Sequence, residues 1–111
     1  MECLRRNPHL PAHVAIETFS VVTRLPPPHR APGGLIAEFL RQRFPAPFLT
    51  LPPKGHLRLI AQATEAGLAG GAIYDALIAA TASHAGATLL SRDRRAAATY
   101  ERLGVDYELL A

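Results

Sequence analysis

Apolar and polar positions alternate along this chain with two different periods. From Pro11 to about Leu25, Val14, Thr18, Val21, Val22 and Leu25 fall on one face of a helix. Glu17 lies at the edge of that face, and Pro26-Pro27-Pro28 ends the helix. After a loop over 26–34, a second helix is predicted over 33–43, with Leu35, Ile36, Phe39 and Leu40 inward. Pro45 and Pro47 bracket a turn, and Phe48-Leu49-Thr50-Leu51 reads as a short strand closed by Pro52-Pro53. A third helix spans about 54–66, with Leu57, Ile60, Ala61 and Thr64 facing in, and Gly67 closes it. Gly70-Gly71 opens a fourth helix that ends near Gly86. The apolar run 87–91 reads as a buried strand, 94–103 as a helix capped by Gly104, and Val105 to Leu109 as a last strand. Nothing in residues 1–10 predicts a strand.

Helices alternating with short apolar strands define an α/β domain with a parallel sheet. A single domain over residues 1–111 is expected, since the length suits one core and no repeat or low-complexity segment interrupts it. The sheet is small for its helices: three strands are predicted, and the first follows two helices.

Two acidic residues stand out from this pattern. The helix Ile73-Tyr74-Asp75-Ala76-Leu77-Ile78-Ala79-Ala80-Thr81-Ala82 is apolar on nearly every side, and its one charge is Asp75. A helix apolar all round is buried, and a buried carboxylate demands a partner, a hydrogen bond or a metal. Asp93 follows the strand 87–91 at its carboxyl end, where open α/β sheets place ligands. Each has a structural alternative: Asp75 with a purely structural partner, Asp93 as a cap for the next helix. Glu17 can equally form an i,i+7 contact with Arg24, and Ser91 can serve only as a strand end. Arg92, Arg94 and Arg95 suit phosphate contacts or a solvated helix start.

Composition narrows the classes. The formal net charge is +3, compatible with an anionic polymer but weak evidence alone. One cysteine, Cys3, excludes an internal disulfide framework and fits a reducing cytoplasm. The charged start Met1-Glu2-Cys3-Leu4-Arg5-Arg6 does not read as a signal peptide, and the run Gly67 to Ala82, broken by Asp75, falls short of a membrane span. His9 and His13 have zinc-like i,i+4 spacing, but Pro11 intervenes and no third ligand is evident. No Gly-rich phosphate loop or Ser-His-Asp order is present.

Several phrases resemble one family. Tyr74-Asp75-Ala76-Leu77-Ile78-Ala79-Ala80-Thr81-Ala82, then Gly86-Ala87-Thr88-Leu89-Leu90-Ser91-Arg92-Asp93-Arg94-Arg95, then Tyr100 and Leu103-Gly104-Val105, look like the C-terminal half of a PIN domain of the VapC toxin type. Glu17-Thr18-Phe19-Ser20-Val21-Val22-Thr23-Arg24-Leu25-Pro26 resembles the helix carrying that family's second acidic residue. The resemblance implies a PIN-like three-layer sandwich with a short parallel sheet. It implies a Mg²⁺- or Mn²⁺-dependent ribonuclease, the toxin of a type II toxin–antitoxin pair, acting in the cytoplasm. It assigns Glu17, Asp75 and Asp93 to the metal-binding, catalytic carboxylate cluster, with Ser91 hydrogen-bonding nearby and Arg92, Arg94 and Arg95 as RNA contacts. RNA, a cognate antitoxin and a second copy of the chain are the implied partners.

The family's first acidic residue, on a central N-terminal strand, has no counterpart here. The expectation is of a fold lacking that strand and the following helix, a piece of about 30 residues, the size of a βα unit. The alternative reading is a catalytically inactive remnant that still binds an antitoxin or self-associates.

Overall fold

The computed structural model describes residues 9–110. The chain divides after Thr50 into two compact units, each with its own core. Residues 1–8, Cys3 among them, lie outside the described residues.

In the first unit, α1 (Ala12–Thr23) packs against α2 (Gly33–Arg43). Pro11 and Pro32 precede them with φ already near the helical value, −61° and −64°. Ala15, Ile36 and Leu40 are buried, with Val22, Ala31 and Phe44 packed against them. The helices approach closely where Gly33 meets Phe19: a Cβ on Gly33 would sit 2.9 Å from the phenyl Cζ.

This core corrects the predicted faces. Leu35 and Phe39, expected inward, are 63% and 50% exposed, and the Arg43 guanidinium lies 5.6 Å from the Phe39 ring centre. Val21 is also exposed, while Ala15, absent from the predicted face, is sealed. The predicted strand Phe48–Leu51 is reduced to one parallel bridge between Pro11 and Leu49. Leu49 donates to the Leu10 carbonyl at 2.9 Å and accepts from the Ala12 amide at 2.8 Å. Pro47 and Pro52 have no N–H with which to extend the ladder.

The second unit contains α3 (Pro53–Glu65), α4 (Ala72–His84), β1 (Leu89–Ser91), a 3₁₀ turn (Arg94–Ala96), α5 (Ala97–Arg102) and β2 (Tyr107–Leu109). The two strands pair in parallel, with Leu89 opposite Tyr107 and Ser91 opposite Leu109. Two pairing strands replace the three expected among the described residues, and β1 is half-buried rather than buried. The parallel α/β character stands.

Glycine sets the entry to each strand. α4 ends at Gly86 (φ +67°), where the Ala87 amide reaches back to the Ala82 carbonyl at 3.0 Å. α5 ends in the same way at Gly104 (φ +66°), with the Val105 amide on the Tyr100 carbonyl at 3.1 Å. Both close with a left-handed residue that satisfies the last carbonyls and turns the chain into the sheet.

Small side chains bring α4 close to its neighbours. Ala76 and Ala79 are fully buried, and Ala79 joins Ala96, Tyr100 and Val105 in the core. The face of α3 also differs from prediction. Leu59 and Ala63 are buried, whereas Leu57 and Ile60 are 75% and 55% exposed and Ala61 and Thr64 point to solvent. Apolar residues at 57, 59, 60, 61 and 63 leave two helical stripes open, and the wider one is not the one used.

Ala79→Leu will overpack a fully buried site and cost about 1–3 kcal/mol. Leu57→Gln, at a solvent-facing position, will stay within about 0.5 kcal/mol. Thermal unfolding of the two variants checks the contrast.

Candidate active site

Asp75 lies in the first turn of α4 and is half-buried. A helix N-terminus favours an anion there. Asp93 enters from the opposite direction, two residues after β1 ends, and is also half-buried. Its carboxylate caps the 3₁₀ turn: Oδ1 accepts from the Arg95 amide at 3.0 Å and the Ala96 amide at 3.3 Å. Oδ2 has a 3.6 Å contact with the exposed Arg95 guanidinium. Ser91 Oγ accepts the Asp93 amide at 3.0 Å. Asp93 is therefore a cap and Ser91 a strand-end hydrogen-bond acceptor, with Oδ2 of Asp93 left to its contact with Arg95.

Tyr100, to which the sequence assigns no role, is coupled electrostatically to both aspartates. Its side chain is 3% exposed, among Ala79, Ala96 and Val105, and its ring centre lies 5.4 Å from that of Tyr107. Burial raises the Tyr100 pKa above 10.0, a hydrogen bond with Ser91 draws it back, and the charges of Asp75 and Asp93 push it further up. Both carboxylates thus act on one hydroxyl from two elements. The available signal was spacing: Tyr100 is seven residues beyond Asp93, on the inner face of the helix that Asp93 starts.

Glu17 belongs to the first unit. It is exposed on α1, and its neighbour at 4.0 Å is His13 rather than the Arg24 considered from spacing. Arg92, Arg94 and Arg95 are all exposed around Asp93. Among the described residues no three His, Cys, Asp or Glu side chains form a metal-holding group. Asp75 and Asp93 both belong to the second unit. Two carboxylates with hard oxygens fit Mg²⁺, which is commonly held through one or two carboxylates plus water and substrate phosphate.

A cavity of about 660 Å³ in the same unit is lined by Lys54, Arg58, Ser83 and His84. It sits at the C-terminal end of α4, about 14 Å along the axis from Asp75, and its walls include neither aspartate.

An α/β unit with one carboxylate just past a parallel strand and another in the first turn of a helix defines a class of acidic-site domains. The comparisons are more specific. The PIN domain family matches residues 3–102. Ribonuclease VapC40 of Mycobacterium tuberculosis, in strains H37Rv and CDC 1551, is 46% identical over 99% of this chain and 82% of its own length. Ribonuclease VapC27 of strain H37Rv is 43% identical over 90% of this chain and 72% of its own. No solved structure matches the chain significantly. The chain belongs to the PIN-domain family.

Asp93→Ala removes both cap bonds and will cost about 1 kcal/mol, while Asp93→Asn keeps an acceptor and will cost less; urea unfolding separates the two. Stability will also fall in alkali. The folded state holds Tyr100 neutral to a higher pH than the unfolded chain does. Its contribution is complete below pH about 10 and is lost as pH rises through the folded pKa. Tyr107, raised chiefly by its 2.7 Å hydrogen bond to Glu101, is solvent-exposed there and adds little. Tyr100→Phe will flatten the decline, measured as the urea midpoint between about pH 9 and 11.

Proposed function

We propose that this protein is a divalent-metal-dependent ribonuclease, the toxin of a type II toxin–antitoxin pair. The observation that carries the reading is 46% identity over 99% of the chain to a protein named a ribonuclease; the placement of Asp75 in the first turn of α4 and of Asp93 just past β1 supports it. Asp75 and Asp93 hold Mg²⁺ or Mn²⁺, and only the family resemblance supports an acidic role for Glu17. The bound cation supplies charge neutralisation on the phosphodiester and an activated water.

The chain's own residues do the rest. Asp75 and Asp93 supply negative oxygen donors from two separate elements, so the site stays open on the side that admits a phosphate. Asp93 commits Oδ1 to the backbone, and Oδ2 lies 3.6 Å from the exposed Arg95 guanidinium. Arg92, Arg94 and Arg95 surround Asp93 in solvent, where they bind flanking phosphates of the RNA without reading sequence.

Apolar surface supports the protein partners. In the first unit a cavity of about 410 Å³ is lined by Ile16, Phe19, Leu40, Phe44 and Phe48. Ile16 is 70% exposed beside it. Contiguous exposed apolar surface marks interaction sites, and a cognate antitoxin and a second copy of the chain are the partners proposed. Among the described residues no helix is long and apolar enough to cross a membrane.

Asp75→Asn will abolish Mg²⁺-dependent cleavage of RNA while leaving the circular dichroism spectrum and thermal midpoint near those of the parent, because it removes a charge and little volume. Cleavage by the parent will stop in EDTA and return with added Mg²⁺ or Mn²⁺. Cleavage that survives either treatment refutes the metal reading.

A further inference from the structure

The second unit carries basic side chains that the proposed activity does not use. Lys54 and Arg58 stand one turn apart on α3, at i,i+4, and so share one side of that helix. α4 packs beside α3, and its last two residues are Ser83 and His84. All four line the cavity of about 660 Å³ at the C-terminal end of α4. No aspartate or glutamate is in that lining. Among the described residues neither Lys54 nor Arg58 is in an ion pair. Like charges at this spacing destabilise a helix, so the two cations gain from an anion shared between them.

The remaining walls are largely apolar, with Leu51 and Leu103 among them. Leu51 is seated over Gly55, where an added Cβ would lie 2.8 Å from Leu51 Cγ. Gly55 directly follows Lys54, so the apolar wall and the cations are fixed to the same turn of α3. A cleft with charge of one sign in low-dielectric walls focuses its field and concentrates the opposite ion. The volume also falls within the range of small-molecule sites, about 300–1,000 Å³, which combine apolar lining with a few placed polar groups.

The distribution of charge favours a compact anion over a long one. A nucleic-acid strand is tracked by basic side chains in series, yet residues 76–83 of α4, between Asp75 and His84, are all uncharged. The one acid of α3, Glu65, lies at the end away from Lys54. Gln62, one turn beyond Arg58, continues the stripe into the cavity with an amide that both donates and accepts. Phosphate chemistry at one end, a donor–acceptor pair at the other and aliphatic walls between them match a nucleotide.

We propose that this cavity binds a mononucleotide, with its phosphate between Lys54 and Arg58, its base against Leu51 and Leu103, and the base edge on Gln62. The site lies about 14 Å along α4 from Asp75, so it needs no metal and is independent of the acidic pair.

The test is calorimetry of the full chain in EDTA, with adenosine 5′-monophosphate, adenosine and inorganic phosphate as probes. The monophosphate will bind about 10-fold or more tighter than either fragment, and its affinity will fall with added salt. Lys54→Gln with Arg58→Gln will weaken it about 10-fold or more. Ser83→Glu, at an exposed position of the lining, will weaken it at least as much by placing an anion there. Asp75→Asn will bind the monophosphate as the parent does.

A parent chain that does not bind the monophosphate, or binds it no better than phosphate, overturns the nucleotide site. Undiminished affinity in the double variant does so too. If that variant does not fold, Ser83→Glu decides, and parent-like affinity there overturns the proposal. Loss of RNA affinity in the double variant, without monophosphate binding by the parent, replaces the nucleotide with a polymer. Each of these outcomes leaves the metal reading standing, because the titrations contain no free divalent cation.

Discussion

The Asp75 carboxylate is the constraint to which the second unit answers. It projects from a helix whose other positions are almost all apolar, and an ionised carboxylate sealed in such surroundings costs several kcal/mol. The dipole of α4 returns only about 0.3–1 kcal/mol at its first turn. The fold therefore leaves Asp75 half-buried, at the open edge of the unit, and buries the alanines of the same helix instead. Those alanines let α4 sit close to α5, which brings Tyr100 into the core. One unfavourable group thus bears on which face of α4 is dry.

Much of this was legible in the residues, for identifiable reasons. Helix ends were marked by proline and glycine, whose backbone restrictions do not depend on tertiary context, so α1 to α4 lie within a residue or two of their predicted bounds. The parallel pairing of the segments after Gly86 and Gly104 followed from apolar runs bounded by turn signals. Inward faces were less legible. Leu57 and Ile60 outweigh Leu59 and Ala63 in hydrophobicity, yet the smaller pair is buried, because close approach to an alanine-rich helix rewards shape over area. The predicted strand at 48–51 failed on hydrogen-bond supply: flanking prolines left Leu49 to make its bridge alone.

The acidic site shows the same division. Asp75 and Asp93 were conspicuous as charges out of place, and each is where its element puts it. Tyr100 was inconspicuous, because a tyrosine on the inner face of a short helix is ordinary core, and its coupling to both aspartates depends on tertiary placement. Glu17 sits on an exposed face of α1, where local pattern has little to distinguish a ligand from a solvated side chain. Family membership, not periodicity, carries its assignment.

Each core is drawn from one continuous stretch, residues 10–44 for the first and 79–107 for the second. Their contacts are therefore near in sequence, and closing them requires only short loops. During synthesis at about 5–20 residues per second, the first core has all of its residues before either aspartate has been translated. The residues of the first core are thus complete in the chain before the acidic residues of the second unit exist, and nothing in that core waits on the aspartates for its own packing.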